Sequence, residues 1–260
     1  MTPHIAYTWH GTEGLPVLVL INGLLTDQSS WKAHLPAITE RYRVLTWDCR
    51  GQGASDKPDD GPYTPADHAA DLARLMDEQG ITTAALLGVS SGGCVALEFA
   101  CRWPDRLAAA VIANAYGTAD TAIQVKLRSW LNAMEAGGGP LRFDVSSPWI
   151  WGTSFLNAHY DSLLPWREKG SALPVFAARH LIEGAMVHDA LDRLDRITCP
   201  VLLLTGSEDL LTPPWYSEAM AQHIPQARME SLDRLGHCMF LENPDRFTEA
   251  AIRFLAEVYP

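Results

Sequence analysis

Short, nearly unbroken apolar runs mark the first half of the chain and its last third: PVLVLI at 16–21, YRVLTW at 42–47, AALLGV at 84–89, LAAAVIANA at 107–115 and PVLLLT at 200–205. Runs of this kind, without polar alternation, predict strands buried on both faces, as in a parallel sheet covered by helices. Between them the period lengthens. Thr64 followed by Pro65 reads as an N-cap and first helical residue, Ala69, Leu72, Leu75 and Met76 share one helical face, and Gly80 marks the stop. From Asp245 to Val258 a second stripe is formed by Phe247, Ala251, Phe254, Leu255 and Val258. Strand and helix alternate, so the expected fold is α/β, a mostly parallel central sheet flanked by helices.

The alternation lapses between Tyr116 and Leu191. Helix-like segments there are broken by AGGGP at 136–140 and carry four of the nine tryptophans, Trp130, Trp149, Trp151 and Trp166. We expect a helical cap over residues 116–191, inserted into a core built from 1–115 and 192–260. Its tryptophans are expected to bind substrate or to anchor the cap's own packing. Arg128, Arg142, Arg167 and Arg179 lie in the same span and either meet a carboxylate on the substrate or sit on the surface. Surface or cap positions are expected for His4, His10, His34, His68, His159, His180, His188 and His223, with His159, His180 and His188 in the cap the candidates for substrate contact.

Composition narrows the class. With 260 residues, 47% hydrophobic and 20% charged, the chain can bury a large core, which excludes disorder. Twenty basic residues against 31 acidic ones give a net charge of −11, the wrong sign for nucleic acid or an anionic membrane surface. The opening MTPHIAYTWHGTEG has neither the basic nor the apolar stretch of a leader, and no run approaches the roughly 18 apolar residues that span a bilayer. Five scattered cysteines without CxxC spacing point to reduced thiols, a cytoplasmic location and no structural zinc.

The chemistry begins where AALLG runs into Gly88-Val89-Ser90-Ser91-Gly92-Gly93 and then into the helical CVALEFACRW. This is G-x-S-x-G between a strand and a helix. Small residues at 88 and 92 let the two elements approach, and the sharp turn lifts Ser90 above the sheet edge. A serine hydroxyl at neutral pH needs an imidazole to take its proton and an acid to orient that imidazole. Asp209, in the loop after PVLLLT, is the expected acid, with adjacent Glu208 in reserve. His237, in the glycine-flanked loop after the strand-like ARMESL, is the expected base. The backbone N–H groups of Ser91 and of Leu24, in the Asn22-Gly23-Leu24-Leu25 turn, are the expected oxyanion donors. No metal or cofactor is called for.

Five segments together complete a pattern. Nearly the whole chain resembles the α/β-hydrolase superfamily: an N-G turn where many members have H-G, Asp48-Cys49-Arg50-Gly51-Gln52-Gly53-Ala54-Ser55 like D-x-R-G-x-G-x-S, the serine elbow, G-x-x-D-x-x-x-P from Gly206, and G-H-x-x-x-x-E ending at Glu242. The resemblance is to the branch with 3-oxoadipate enol-lactonases and small carboxylesterases. It implies a nucleophile, acid and base at Ser90, Asp209 and His237 and a structural role for Asp48 and Arg50; the expected substrate is a carboxylic ester or lactone of small to medium size, apolar or aromatic if the cap's tryptophans line its pocket. Related families use the same fold and triad for C–C bond hydrolysis, perhydrolysis, acyl transfer or cofactor-free oxygenation and cyclisation, and a ligand receptor is a further alternative. Asn22 departs from the usual histidine and removes a ring that often buttresses this loop.

Overall fold

A computed structural model of the chain describes residues 2–169 and 173–260. Among these, seven strands form one sheet: β1 (Tyr7–His10), β2 (Val17–Ile21), β3 (Arg43–Trp47), β4 (Ala84–Val89), β5 (Leu107–Ala113), β6 (Val201–Gly206) and β7 (Ala227–Leu232). Their order is β1-β3-β2-β4-β5-β6-β7, with β1 antiparallel to β3 and every other pair parallel. The five apolar runs all become strands. Edge strand β1 is not marked by such a run, because its residues are exposed or half-buried and its order comes from pairing with β3.

Double-sided burial is visible residue by residue. Val19 and Ile21 of β2, Leu86 of β4 and Ile112 of β5 belong to one buried cluster, while Leu18 and Leu20, Leu87 and Val111 belong to another. The first cluster is closed by α2 (Pro65–Glu78) and α3 (Ser91–Arg102), the second by α9 (Pro244–Val258) with residues from the short α1 (Leu35–Ile38) and α8 (Met239–Glu242). Helix α2 starts with a capping box in which Thr64 Oγ1 accepts the Asp67 N–H and Asp67 accepts the Thr64 N–H.

Between β5 and β6 stand α4 (Thr121–Ile150), α5 (Thr153–Lys169) and α6 (Val175–Met186), and α7 (Trp215–Ala221) follows β6. Helix α4 is two helices joined at a kink, where Gly137 (φ −149°) and Gly138 (φ +65°) leave helical geometry at the AGGGP break. Its first half sends Ile123, Leu127, Trp130 and Leu131 into the main core. Phe143 in its second half packs with Trp151 and Leu163 in a small separate cluster. No helix among the described residues is long and apolar enough to cross a membrane.

Candidate active site

Strand order reverses direction at β2, whose neighbours are β3 and β4. Ligands in open α/β sheets lie outside the carboxyl ends of strands at such a point. The loop after β2 brings Leu24 there, and the turn after β4 brings Ser90. Ser90 sits at φ +55°, ψ −122°, a conformation an L-residue holds only when its surroundings fix it. Those surroundings are the glycines: a Cβ on Gly88 would lie 2.3 Å from the Gly92 carbonyl oxygen, and one on Gly92 would lie 2.3 Å from that of Ile21. The close approach of β2, β4 and α3 holds the serine in its turn.

Three side chains from three loops meet here. Ser90 Oγ lies 2.8 Å from His237 Nε2, and His237 Nδ1 lies 2.8 Å from Asp209 Oδ2. Asp209 is 2% exposed, yet its carboxylate is well satisfied: Oδ1 accepts the N–H groups of Leu211 and Thr212 at 2.8 Å each. Glu208, the reserve acid, points elsewhere. It accepts the Ser154 hydroxyl at 2.6 Å and the Ser154 N–H at 2.7 Å, and these bonds hold its carboxyl below the usual range.

Two supporting residues escape sequence reasoning. Asn114, at the end of β5 with φ +49°, donates from Nδ2 to the carbonyl oxygens of His237 (2.8 Å) and Gly236 (3.2 Å), and its Oδ1 accepts the Gly206 N–H (3.1 Å). It ties the histidine loop to the β6 end. The Thr212 hydroxyl lies 2.8 Å from Asp209 Oδ2 and 3.0 Å from both His237 Nδ1 and the Asn114 carbonyl oxygen. The positive φ at an asparagine directly after a buried strand is the sort of feature a sequence signals only weakly. Glu242, the last residue of G-H-x-x-x-x-E, accepts the N–H groups of Gly152 (3.0 Å) and Gly236 (2.9 Å), which fixes the same loop from the other side.

No hydrogen bond among the described residues engages the N–H of Leu24 or of Ser91, and both residues border the space beside Ser90. Asn22 still braces its loop without the histidine ring, donating from Nδ2 to the Thr26 carbonyl oxygen at 3.0 Å. Asp48 accepts the N–H groups of Gln28 (2.8 Å) and Ala54 (2.9 Å), and Arg50 forms a two-point bond with Asp71 at 2.6 and 2.8 Å, so both hold loops together.

A cavity of about 640 Å³ opens onto Ser90 and His237. Trp130, Trp151 and Trp166 line it together with Phe143, Ile150 and Phe240. Trp149 does not. It is 37% exposed, borders a separate hollow on α4 and has Lys126 Nζ 5.1 Å from its ring centroid. Its neighbour Ile150 takes the cavity-facing position, since successive helical residues point about 100° apart. The cap histidines are also elsewhere: His180 pairs with Asp59 at 2.8 Å, His188 approaches Glu98 at 3.5 Å, and His159 packs on Phe155. His34 and His68, expected at the surface, are buried, which pushes both imidazoles down to about 4. Among the described residues no group of three or more His, Cys, Asp or Glu is placed to hold a metal ion. Cys238 stands next to His237, but burial pushes its thiol well above the usual range.

Known proteins share this fold over nearly the whole chain. Residues 16–244 match the family described as the alpha/beta hydrolase fold. The chain is similar to carbamate hydrolase RutD of Caulobacter segnis, with 28% identity over 258 residues covering 96% of each chain. Among solved structures it is similar to the thermophilic esterase from Thermogutta terrifontis (TM-score 0.86, 29% identity, 98% of this chain and 94% of that one). It is also similar to the enol-lactonase from Burkholderia xenovorans LB400 (TM-score 0.85, 27% identity, 97% and 96%). The esterase and the enol-lactonase agree with the branch that the sequence resembles, while the carbamate hydrolases add an acyl group that the sequence reading did not include. Fold, strand order and a family match over nearly the whole length converge, and the chain belongs to the α/β-hydrolase family.

Proposed function

We propose that this enzyme is a serine hydrolase that cleaves a carboxylic ester or lactone through an acyl-enzyme on Ser90. The observation that carries the reading is the unbroken chain of contacts from Ser90 Oγ to His237 to Asp209, both links 2.8 Å long, with Ser90 and His237 lining a cavity of about 640 Å³. Ser90 Oγ attacks the carbonyl carbon while His237 Nε2 takes its proton, and Asp209 holds the ring through Nδ1 and stabilises the imidazolium. The free N–H groups of Leu24 and Ser91 receive the oxyanion. Collapse of the tetrahedral intermediate expels the alkoxide, which takes the proton from His237. Water then attacks the acyl-enzyme, gives a proton to His237, and the acid leaves as that proton returns to Ser90.

Residues 116–191 act in this reading as a cap that shapes the substrate cavity, with Trp130, Trp151 and Trp166 giving it an apolar, aromatic wall. The substrate is a small molecule, and a carbamate is a second acyl class, favoured by the similarity to RutD over nearly the full chain. It runs through the same steps.

A fluorophosphonate should label Ser90, with adduct absent from Ser90→Ala. In kinetics on the best substrate of an ester, lactone and carbamate panel, Ser90→Ala, His237→Ala and the double mutant should fall to nearly one residual kcat/KM, because the two groups act as a unit. A Ser90→Ala enzyme that keeps most of its activity while His237→Ala is dead would defeat the acyl-enzyme mechanism.

A further inference from the structure

The arginines of the chain are mostly paired. Arg50 binds Asp71, Arg167 binds Asp144 at 2.7 Å, Arg179 binds Glu135 at 2.5 Å, and Arg193 binds Glu98 at 2.8 Å. Arg142 has no carboxylate within 4.0 Å among the described residues. Its Nε is buried without a hydrogen-bond partner, and its guanidinium reaches only the Ser146 hydroxyl, at a long 3.4 Å. Burial lowers its pKa from the ordinary arginine value, but a guanidinium stays charged at neutral pH.

This unpaired cation lines the same cavity as Ser90 and His237. Phe143, Ile150, Trp151 and Trp166 line the cavity with it, and the nearby Cys238 thiol is at most a weak acceptor, so among the described residues the guanidinium has no bonded partner beyond the long contact to Ser146. Among the described residues that line the cavity the carboxylate is Asp27, which is exposed, accepts the Ser29 N–H at Oδ1 (2.8 Å) and forms no ion pair with Arg142. A desolvated cation is costly to fold around, and five N–H donors in a planar fork match a carboxylate in two-point geometry. Among the described residues nothing supplies the Arg142 guanidinium with such a partner.

Building on the serine-hydrolase reading, we propose that Arg142 binds a carboxylate on the substrate, so that the preferred ester or lactone is anionic and carries its charge at the end of an apolar stem remote from the scissile carbonyl. The aromatic and aliphatic wall takes the stem, and Arg142 fixes the register that brings the carbonyl to Ser90. Arg142 thereby sets specificity and takes no part in bond breaking.

The test compares monomethyl adipate with methyl 6-methylheptanoate, in which an isopropyl group replaces the carboxylate at the same distance from the methyl ester. The ratio of kcat/KM for the anionic ester over its isostere should fall roughly 10- to 100-fold in Arg142→Met, which keeps the apolar stem, and recover in part in Arg142→Lys. Arg142→Gln serves if the Met variant does not fold by thermal melting. Calorimetry on Ser90→Ala, with and without Arg142→Met, measures binding of the same two esters without turnover. Loss of affinity confined to the anionic ester upholds the proposal even if the wild type cleaves neither ester. Hydrolysis of both esters with a ratio that Arg142→Met and Arg142→Gln leave unchanged overturns it and leaves the serine mechanism standing.

Discussion

Asp209 and Glu208 are adjacent acids with opposite surroundings. Asp209 is buried against His237, whereas Glu208 is held by Ser154 and Arg234 lies nearby. Only the acid on Nδ1 sets the tautomer of the histidine, so Asp209→Asn should lower kcat by about 10⁴-fold. Glu208→Gln should cost less than about tenfold, the loss of one or two partly exposed hydrogen bonds. Steady-state kinetics of the two variants decides this, and equal losses would move the acid role away from Asp209. That Ser90, Asp209 and His237 would meet was legible because Ser90 and Asp209 follow buried apolar strands and His237 lies in a glycine-flanked loop after the last strand, the mostly exposed or half-buried β7. Asn114 and Thr212 were not, since a residue that orients others through backbone carbonyls leaves no spacing rule behind. Arg142 was legible only as one of four arginines, because pairing with Asp144 or Glu135 is a matter of helix packing.

At the level of elements, the elbow works because two glycines let α3 lie against β2 and β4. Gly92→Ala places a Cβ 2.3 Å from a carbonyl oxygen of β2, an atom that cannot yield without moving the strand. The cost should be about 3 kcal/mol in urea unfolding, with loss of activity beyond that loss of stability as Ser90 shifts. Gly80→Ala is the control. Gly80 has φ +68° and open space within 4 Å of where a methyl group would stand, so only the left-handed backbone is penalised, by about 1 kcal/mol. Similar costs at both sites would show that close packing is not what demands glycine at 92. Strands and the α2 and α9 helices follow from periodicity, with ends shifted by a residue or so. Trp149 was misplaced because a helix's phase past the Gly137–Gly138 kink has to be seen in three dimensions.

Across the whole molecule, buried histidines set how stability depends on pH. Desolvation holds His34 and His68 near 4, so the unfolded chain protonates them around 6.5 while the folded protein resists. Their contribution is present above 6.5 and lost as pH falls from there toward 4. His188 runs the other way: burial alone would lower it, but Cys94 and Glu98 together outweigh burial and hold it at about 9. Its contribution is full below 6.5 and lost as pH rises toward 9. Thermal midpoints measured from pH 4 to pH 9.5 should therefore peak near pH 6.5, and His188→Gln should flatten the alkaline side. A wild-type midpoint level from pH 6.5 to 9 would rule out a charged His188 in the folded state.

The two glycines that bend α4 divide one helix between two kinds of constraint. Before the bend, Ile123, Leu127 and Leu131 are packed into the sheet's core, where almost any change is felt by the whole fold, and Trp130 packs with them while also lining the cavity. After it, Arg142, Phe143 and Ile150 face the cavity, and Phe143 packs within a small cluster of its own. Substitutions after the bend can therefore change what the cavity admits at less risk to the sheet's core than substitutions before it, so the two halves of one helix are free to diverge at different rates.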